Sequence, residues 1–177
     1  MIRRFCLYAI LRNLRLFDAF FVLFLLLELN LSYTVVGLVL AYEKIILGLF
    51  EIPLAVVSDR LGRRRALMAS FSLASMAFCI FGLSLQCDAP MAMIFLGQTI
   101  YGIAESLRTG THKAIVLDWL SINQMSHRRV EVLGQMRFFS KTSAGLAALL
   151  AGILVWATGD ISILFWAATI PTLLGVV

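Results

Sequence analysis

Residues 58–65 read Ser-Asp-Arg-Leu-Gly-Arg-Arg-Arg, and five of these eight positions are charged. One apolar run precedes the cluster and another follows it, so its meaning depends on its surroundings. Hydrophobic residues make up 61% of the 177-residue chain and charged residues only 14%, with a mean hydropathy of +0.94. Water-soluble domains hold about 45–50% apolar and about 25% charged residues. A soluble core of this size could not cover so much apolar surface, so the expected solvent is a lipid bilayer and the expected class an all-α membrane protein. Nothing in the composition points to nucleic acid. The cysteines, Cys6, Cys79 and Cys87, have neither metal-ligand nor CxxC spacing and read as small hydrophobes. With only two histidines as well, no metal and no cofactor is expected. Arg12 and Arg15 interrupt the N-terminal apolar run and no small-residue cleavage site follows, so no cleavable signal is read.

A helix that crosses a bilayer needs about 20 mostly apolar residues. The chain offers six such stretches, at residues 14–31, 34–57, 66–85, 90–118, 131–157 and 161–177, behind an amphipathic cytoplasmic lead-in at 1–13. Pro90 suits the first turn of a helix, where its missing N–H has no partner to lose. Arg3, Arg4, Arg12 and Arg15 precede or open span one. Arg60, Arg63, Arg64 and Arg65 lie between spans two and three, and Arg128 and Arg129 between four and five. The opposite connections (NLSYT, QCDAP and TGD) contain no Lys or Arg. The positive-inside rule then places the N-terminus and both basic loops in the cytoplasm, in a plasma or bacterial inner membrane.

An ionisable side chain inside the bilayer costs roughly 2.5–3.5 kcal/mol even on the mild insertion scale, so each is a candidate for function. Span one carries Asp18 and Glu28; span two carries Glu43, Lys44 and Glu51. Span four carries Glu105, Arg108, His112 and Lys113, and span five Arg137 and Lys141, whereas spans three and six carry none. Four helices are therefore expected to face something polar and two to face lipid. In span four Gln98, Gly102, Glu105, Thr109 and His112 recur at helical spacing as one polar stripe, with Arg108 three residues after Glu105 and able to pair with it. Lys44 and Glu51 share a face of span two. Arg137 and Lys141 share one of span five. Buried ion pairs can serve packing specificity alone, and a glutamate near a span end can reach the interface; the restriction of these groups to four helices favours a water-accessible solute pathway. Gly145 and Gly152, seven apart among alanines, are expected to permit close helix contact.

Residues 51–67, EIPLAVVSDRLGRRRAL, resemble the signature loop between helices two and three of the major facilitator superfamily, roughly G-x-L-a-D-R-x-G-R-[RK]-x-x-L. Asp59, Arg60, Gly62, Arg63, Arg64 and Leu67 match, while Ala55 stands for the first Gly and Val57 for Leu. The resemblance implies one half of a twelve-helix transporter: residues 14–177 as a six-helix 3+3 inverted-repeat bundle, helices 1, 2, 4 and 5 lining the cavity, with a C-terminal half expected to be missing and the association of two copies as the alternative. It also implies a gating motif. Asp59 would cap a helix N-terminus of the other half, where the dipole stabilises a carboxylate. Asp118 would take the acidic position at the cytoplasmic end of helix four, with Arg63 as partner, and Gly62 would supply a tight turn. Gln98 departs from the arginine that drug/proton antiporters of this superfamily carry in helix four, and residues 144–152 (AGLAALLAG) lack the proline of their helix-five motif. The expected function is secondary transport of a small polar or amphipathic solute by alternating access, proton coupled and not enzymatic. Glu105 and His112 are the candidate proton carriers, and Arg108, Lys113, Arg137 and Lys141 the candidate contacts for an anionic group. Asp18, Glu43, Lys44, Glu51 and Gln98 complete the candidate pathway. The alternatives are drug efflux by an antiporter of the same superfamily, a non-transporting receptor or scaffold, and an intramembrane lipid-modifying enzyme, for which only Asp59 and Asp118 approach a metal-binding pattern.

Overall fold

The computed structural model describes residues 7, 9–10, 13–109 and 111–174, with the backbone alone at 111–114, 126 and 174. Every regular element among them is helical. The first apolar stretch is not one continuous α-helix. Turns at residues 16–20 lead into α1 (Phe21–Leu23) and then a π-helical turn at Phe24–Glu28, closed by the Leu29 N–H on the Phe24 carbonyl at 3.3 Å. The widened turn leaves the neighbours Phe24 and Leu25 both fully buried. α2 (Tyr33–Leu61) begins behind Ser32, whose Oγ accepts from the Val35 N–H at 3.5 Å. Gly62 alone separates it from α3 (Arg63–Leu83).

The stretch at 90–118, read as one span, divides into α4 (Pro90–Thr109) and α5 (Thr111–Ile122). α6 (Arg129–Thr158) starts just after Arg128, which donates from Nε and Nη2 to the two Glu131 carboxylate oxygens at 2.8 and 2.7 Å. That fork holds the Arg128 pKa above its ordinary value. α6 ends on Gly159, left-handed at φ +72°, and α7 (Ile163–Leu174) follows. Among the described residues, length and apolarity qualify two helices to cross a membrane, α3 with the turn after it (Arg63–Gln86) and α6 (Arg129–Thr158); Ile163–Leu173 is apolar but shorter.

α4 is the hub, packed against both α2 and α3, and α3 packs in turn on α7. Single polar side chains join the helices. Ser70 Oγ of α3 donates to the Ala104 carbonyl of α4 at 2.7 Å, and Ser106 Oγ of α4 to the Leu47 carbonyl of α2 at 3.0 Å. Tyr42 and Thr99 share a hydroxyl bond of 2.9 Å between α2 and α4, and Ser75 and Thr172 one of 2.8 Å between α3 and α7. The core is aromatic. Phe17, Phe21 and Phe24 from the N-terminal stretch meet Phe78 and Phe81 of α3, Tyr101 of α4 and Phe165 of α7, with Phe17–Phe78 and Phe24–Phe165 centroids 4.7 Å apart.

Uncharged does not mean peripheral here. In α3, 44% of the most apolar stretch is buried, against 17% in α6. α6 joins the rest along its length: Val132 and Met136 pack with Val116 and Leu120 of α5, Ala147 and Ala151 join the aromatic core, and Ser143 Oγ donates to the Ile10 carbonyl at 2.8 Å. The most tightly packed described glycine is also elsewhere than expected. A Cβ added at Gly145 would meet nothing within 4 Å, and one at Gly152 only Phe20 Cζ at 3.8 Å, whereas one at Gly97 of α4 would lie 2.4 Å from Phe81 Cε1. Phe81 is itself 1% exposed and has little room to retreat. Gly97→Ala is therefore expected to destabilise the bundle by roughly 1–2 kcal/mol through overpacking. Thermal unfolding in detergent checks this, and an unchanged midpoint would mean that the α3–α4 contact is looser than described.

Candidate functional site

Arg15 lies in the turn that opens the N-terminal stretch, and two hollows meet at its side chain. Its Nη2 donates to Glu105 Oε2 at 2.8 Å, its Nη1 stands 3.7 Å from Asp18 Oδ2, and its guanidinium carbon sits 5.6 Å from the centroid of the Tyr101 ring. Glu105 also accepts from Arg108, one turn further along α4. One carboxylate thus bridges two guanidiniums, and Arg108 is 4% exposed. Apolar residues of α3 and α7 wall the smaller hollow beside this triad.

The larger hollow, about 190 Å³, lies between the N-terminal stretch, α2, α3 and α4. Arg15, Asp18, Glu43 and Lys44 supply charges of both signs to its wall, and Gln98 and Tyr101 supply uncharged polar groups. Lys44 Nζ bonds Glu43 Oε1 at 2.8 Å. Phe17, Phe21, Leu40 and Phe81 line the rest. Gln98 Oε1 and the Tyr101 hydroxyl are buried yet have no hydrogen-bond partner among the described residues. Buried polar groups are nearly always paired, so two orphans three residues apart on one helix face, in the wall of one cavity, are unusual.

The structure brings together Asp18, Glu43, Lys44 and Gln98 at the larger hollow, and Glu105 with Arg108 at the smaller one. Glu51 on α2 and Arg137 and Lys141 on α6 are exposed and line neither. The side chains of His112 and Lys113 fall outside the described residues. Sequence reasoning treated Arg15 only as an orienting charge and did not single out Tyr101. The signal was present in both cases: Asp18 follows Arg15 by three residues, and Tyr101 falls on the Gln98–Glu105 stripe.

A charged cluster marks the joint between α2 and α3. Asp59 and Arg60 occupy the last turn of α2, Gly62 takes φ +89° and ψ 131°, and Arg63 and Arg64 open α3. Arg63 donates to Asp118 of α5, and its Nε stands 3.7 Å from Asp59 Oδ1, so both carboxylates face the same guanidinium. Asp59, Arg60 and Arg64 are exposed.

No curated protein and no solved structure matches the chain. The sequence model of the Major Facilitator Superfamily, a superfamily of membrane transporters, matches residues 5–177. That match covers the aromatic core, both hollows and the Gly62 joint together, and the chain belongs to the major facilitator superfamily.

Proposed function

We propose that this chain is the cavity-bearing six-helix half, built as a 3+3 repeat, of a secondary transporter that moves a small polar or amphipathic solute by alternating access. The observation that carries the reading is the wall of the larger hollow, where ionised side chains from the N-terminal stretch and α2 and unpartnered polar groups from α4 converge on one space. Groups of this kind, so expensive against hydrocarbon, belong to a wet pathway. Glu105, held between Arg15 and Arg108, is the proton-carrying candidate: protonation would release two guanidiniums at once, and a carboxylate with two alternative partners is a switchable element. The Arg63–Asp118 pair at the α2–α3 joint is the gate contact, made in one state of the cycle and broken in the other.

Leu40, an uncharged residue on the cavity wall, reports on access. In a background carrying Cys6→Ala, Cys79→Ala and Cys87→Ala, Leu40→Cys is expected to react with a membrane-impermeant methanethiosulfonate added to intact cells or inverted vesicles. No reaction from either side would place this face against lipid and overturn the pathway. Glu105→Gln is expected to abolish proton-driven solute flux in proteoliposomes while leaving exchange at equal pH. Flux equal to the parent protein's would remove Glu105 from the coupling role.

A further inference from the structure

We infer that the larger hollow binds a small zwitterion, an amino-acid-like solute that carries an ammonium and a carboxylate on an apolar body. The inference rests on the pathway reading above and names the solute class for it. Three features of the wall converge. The first is charge balance: Arg15 and Lys44 oppose Asp18 and Glu43, so the ionised groups sum to zero. A lone cation or anion entering this space would be attracted by one pair and repelled by the other, whereas a zwitterion satisfies both.

The second is the pair of orphans. Among the described residues Gln98 Oε1 is an acceptor without a donor and the Tyr101 hydroxyl has no partner, while the two residues are 2% and 5% exposed. An ammonium supplies the N–H that the amide oxygen lacks, and a carboxylate accepts from the phenol. Gln98 and Tyr101 lie one helical turn apart, and Arg15, with its guanidinium carbon 5.6 Å from the centre of the Tyr101 ring, lines the same hollow. The carboxylate of the solute belongs at that end, and its ammonium between Gln98 and Asp18. The third feature is the apolar lining of Phe17, Phe21, Leu40 and Phe81, which suits an aromatic or branched side chain and has little to offer the many hydroxyls of a sugar.

The test uses the full chain in native membranes, with Leu40→Cys as reporter in the cysteine-free background. L-phenylalanine or L-leucine is expected to slow methanethiosulfonate labelling. Phenethylamine, 3-phenylpropanoate and glucose, which lack one charge or both, are expected to need at least tenfold higher concentration for the same protection. Tyr101→Phe and Gln98→Leu, each removing one hydrogen bond to a charged group, are expected to raise the protecting concentration of L-phenylalanine about tenfold. Tyr101→Phe changes no packing volume and so separates lost recognition from misfolding. Protection by a singly charged analogue or by glucose at the zwitterion's concentration overturns the inference, as does labelling that neither amino acid slows; in both cases the reporter still reacts and the wet pathway stands. A reporter that never reacts removes the pathway itself.

Discussion

Glu105→Ala is expected to lower the stability of the bundle by roughly 3–5 kcal/mol, the usual cost of removing one partner from a buried ion pair. The Glu105 carboxylate is the only described acceptor for Arg108, whose side chain is 5% exposed, and it also takes a 2.8 Å bond from Arg15. Without it two guanidiniums face each other across an apolar pocket. Arg15 keeps Asp18 at 3.7 Å as partial compensation, but Arg108 has no such second carboxylate among the described residues. The penalty therefore belongs mainly to the orphaned Arg108. Glu105→Leu combined with Arg108→Leu is expected to be much less destabilised than Glu105→Ala alone, since an apolar pair of similar volume leaves no charge buried. Unfolding of the purified protein in mild detergent measures both. A double variant as unstable as the single one would mean that the cost arises from cavity formation, and that the triad contributes packing more than electrostatics.

Much of this was legible in the sequence, because membrane solvent makes charge expensive and its placement informative. The Gln98–Glu105 stripe, the Glu105–Arg108 spacing and the acidic and basic residues of span two could be read from helical periodicity alone. Three features went unread. Arg15 looked topogenic because a basic residue at a span end normally stays at the interface; the turns at residues 16–20 instead carry it onto Tyr101. The π-helical turn at Phe24–Glu28 leaves no trace in a run of Phe and Leu, since residues on every face are apolar. How tightly a glycine is packed depends on what lies opposite it. Gly145 and Gly152 had the sequence pattern, but Gly97 has Phe81 in front of it. Periodicity reports which face of a helix is polar and not what that face meets.

Gly62 is where sequence and geometry meet most directly, and substituting it is expected to have the second large effect. Two long helices turn within this single residue, which ends α2 and begins α3 while its carbonyl accepts from the Ala66 N–H at 3.1 Å. At φ +89° and ψ 131° it lies outside the left-handed helical region, in a part of backbone space open essentially to glycine. Any Cβ is therefore strained, at about 1–3 kcal/mol, even though open space surrounds the position. Gly62→Val is expected at the upper end, and Gly62→Asn is expected to be as harmful as Gly62→Ala, because asparagine's tolerance of positive φ applies to the left-handed helix and not here. The magnitudes separate backbone from ion pair. Arg63 and Asp118 are 32% and 59% exposed, so Arg63→Ala should cost no more than about 1 kcal/mol of stability. A Gly62 variant that loses more than Arg63→Ala acts through the turn, which sets the angle between α2 and α3 and thereby the reach of Arg63 to Asp118. Gly62→Asn unfolding at the parent temperature would show instead that the joint relaxes into ordinary left-handed geometry, and that the Arg63–Asp118 contact is formed by the side chains and not imposed by the backbone.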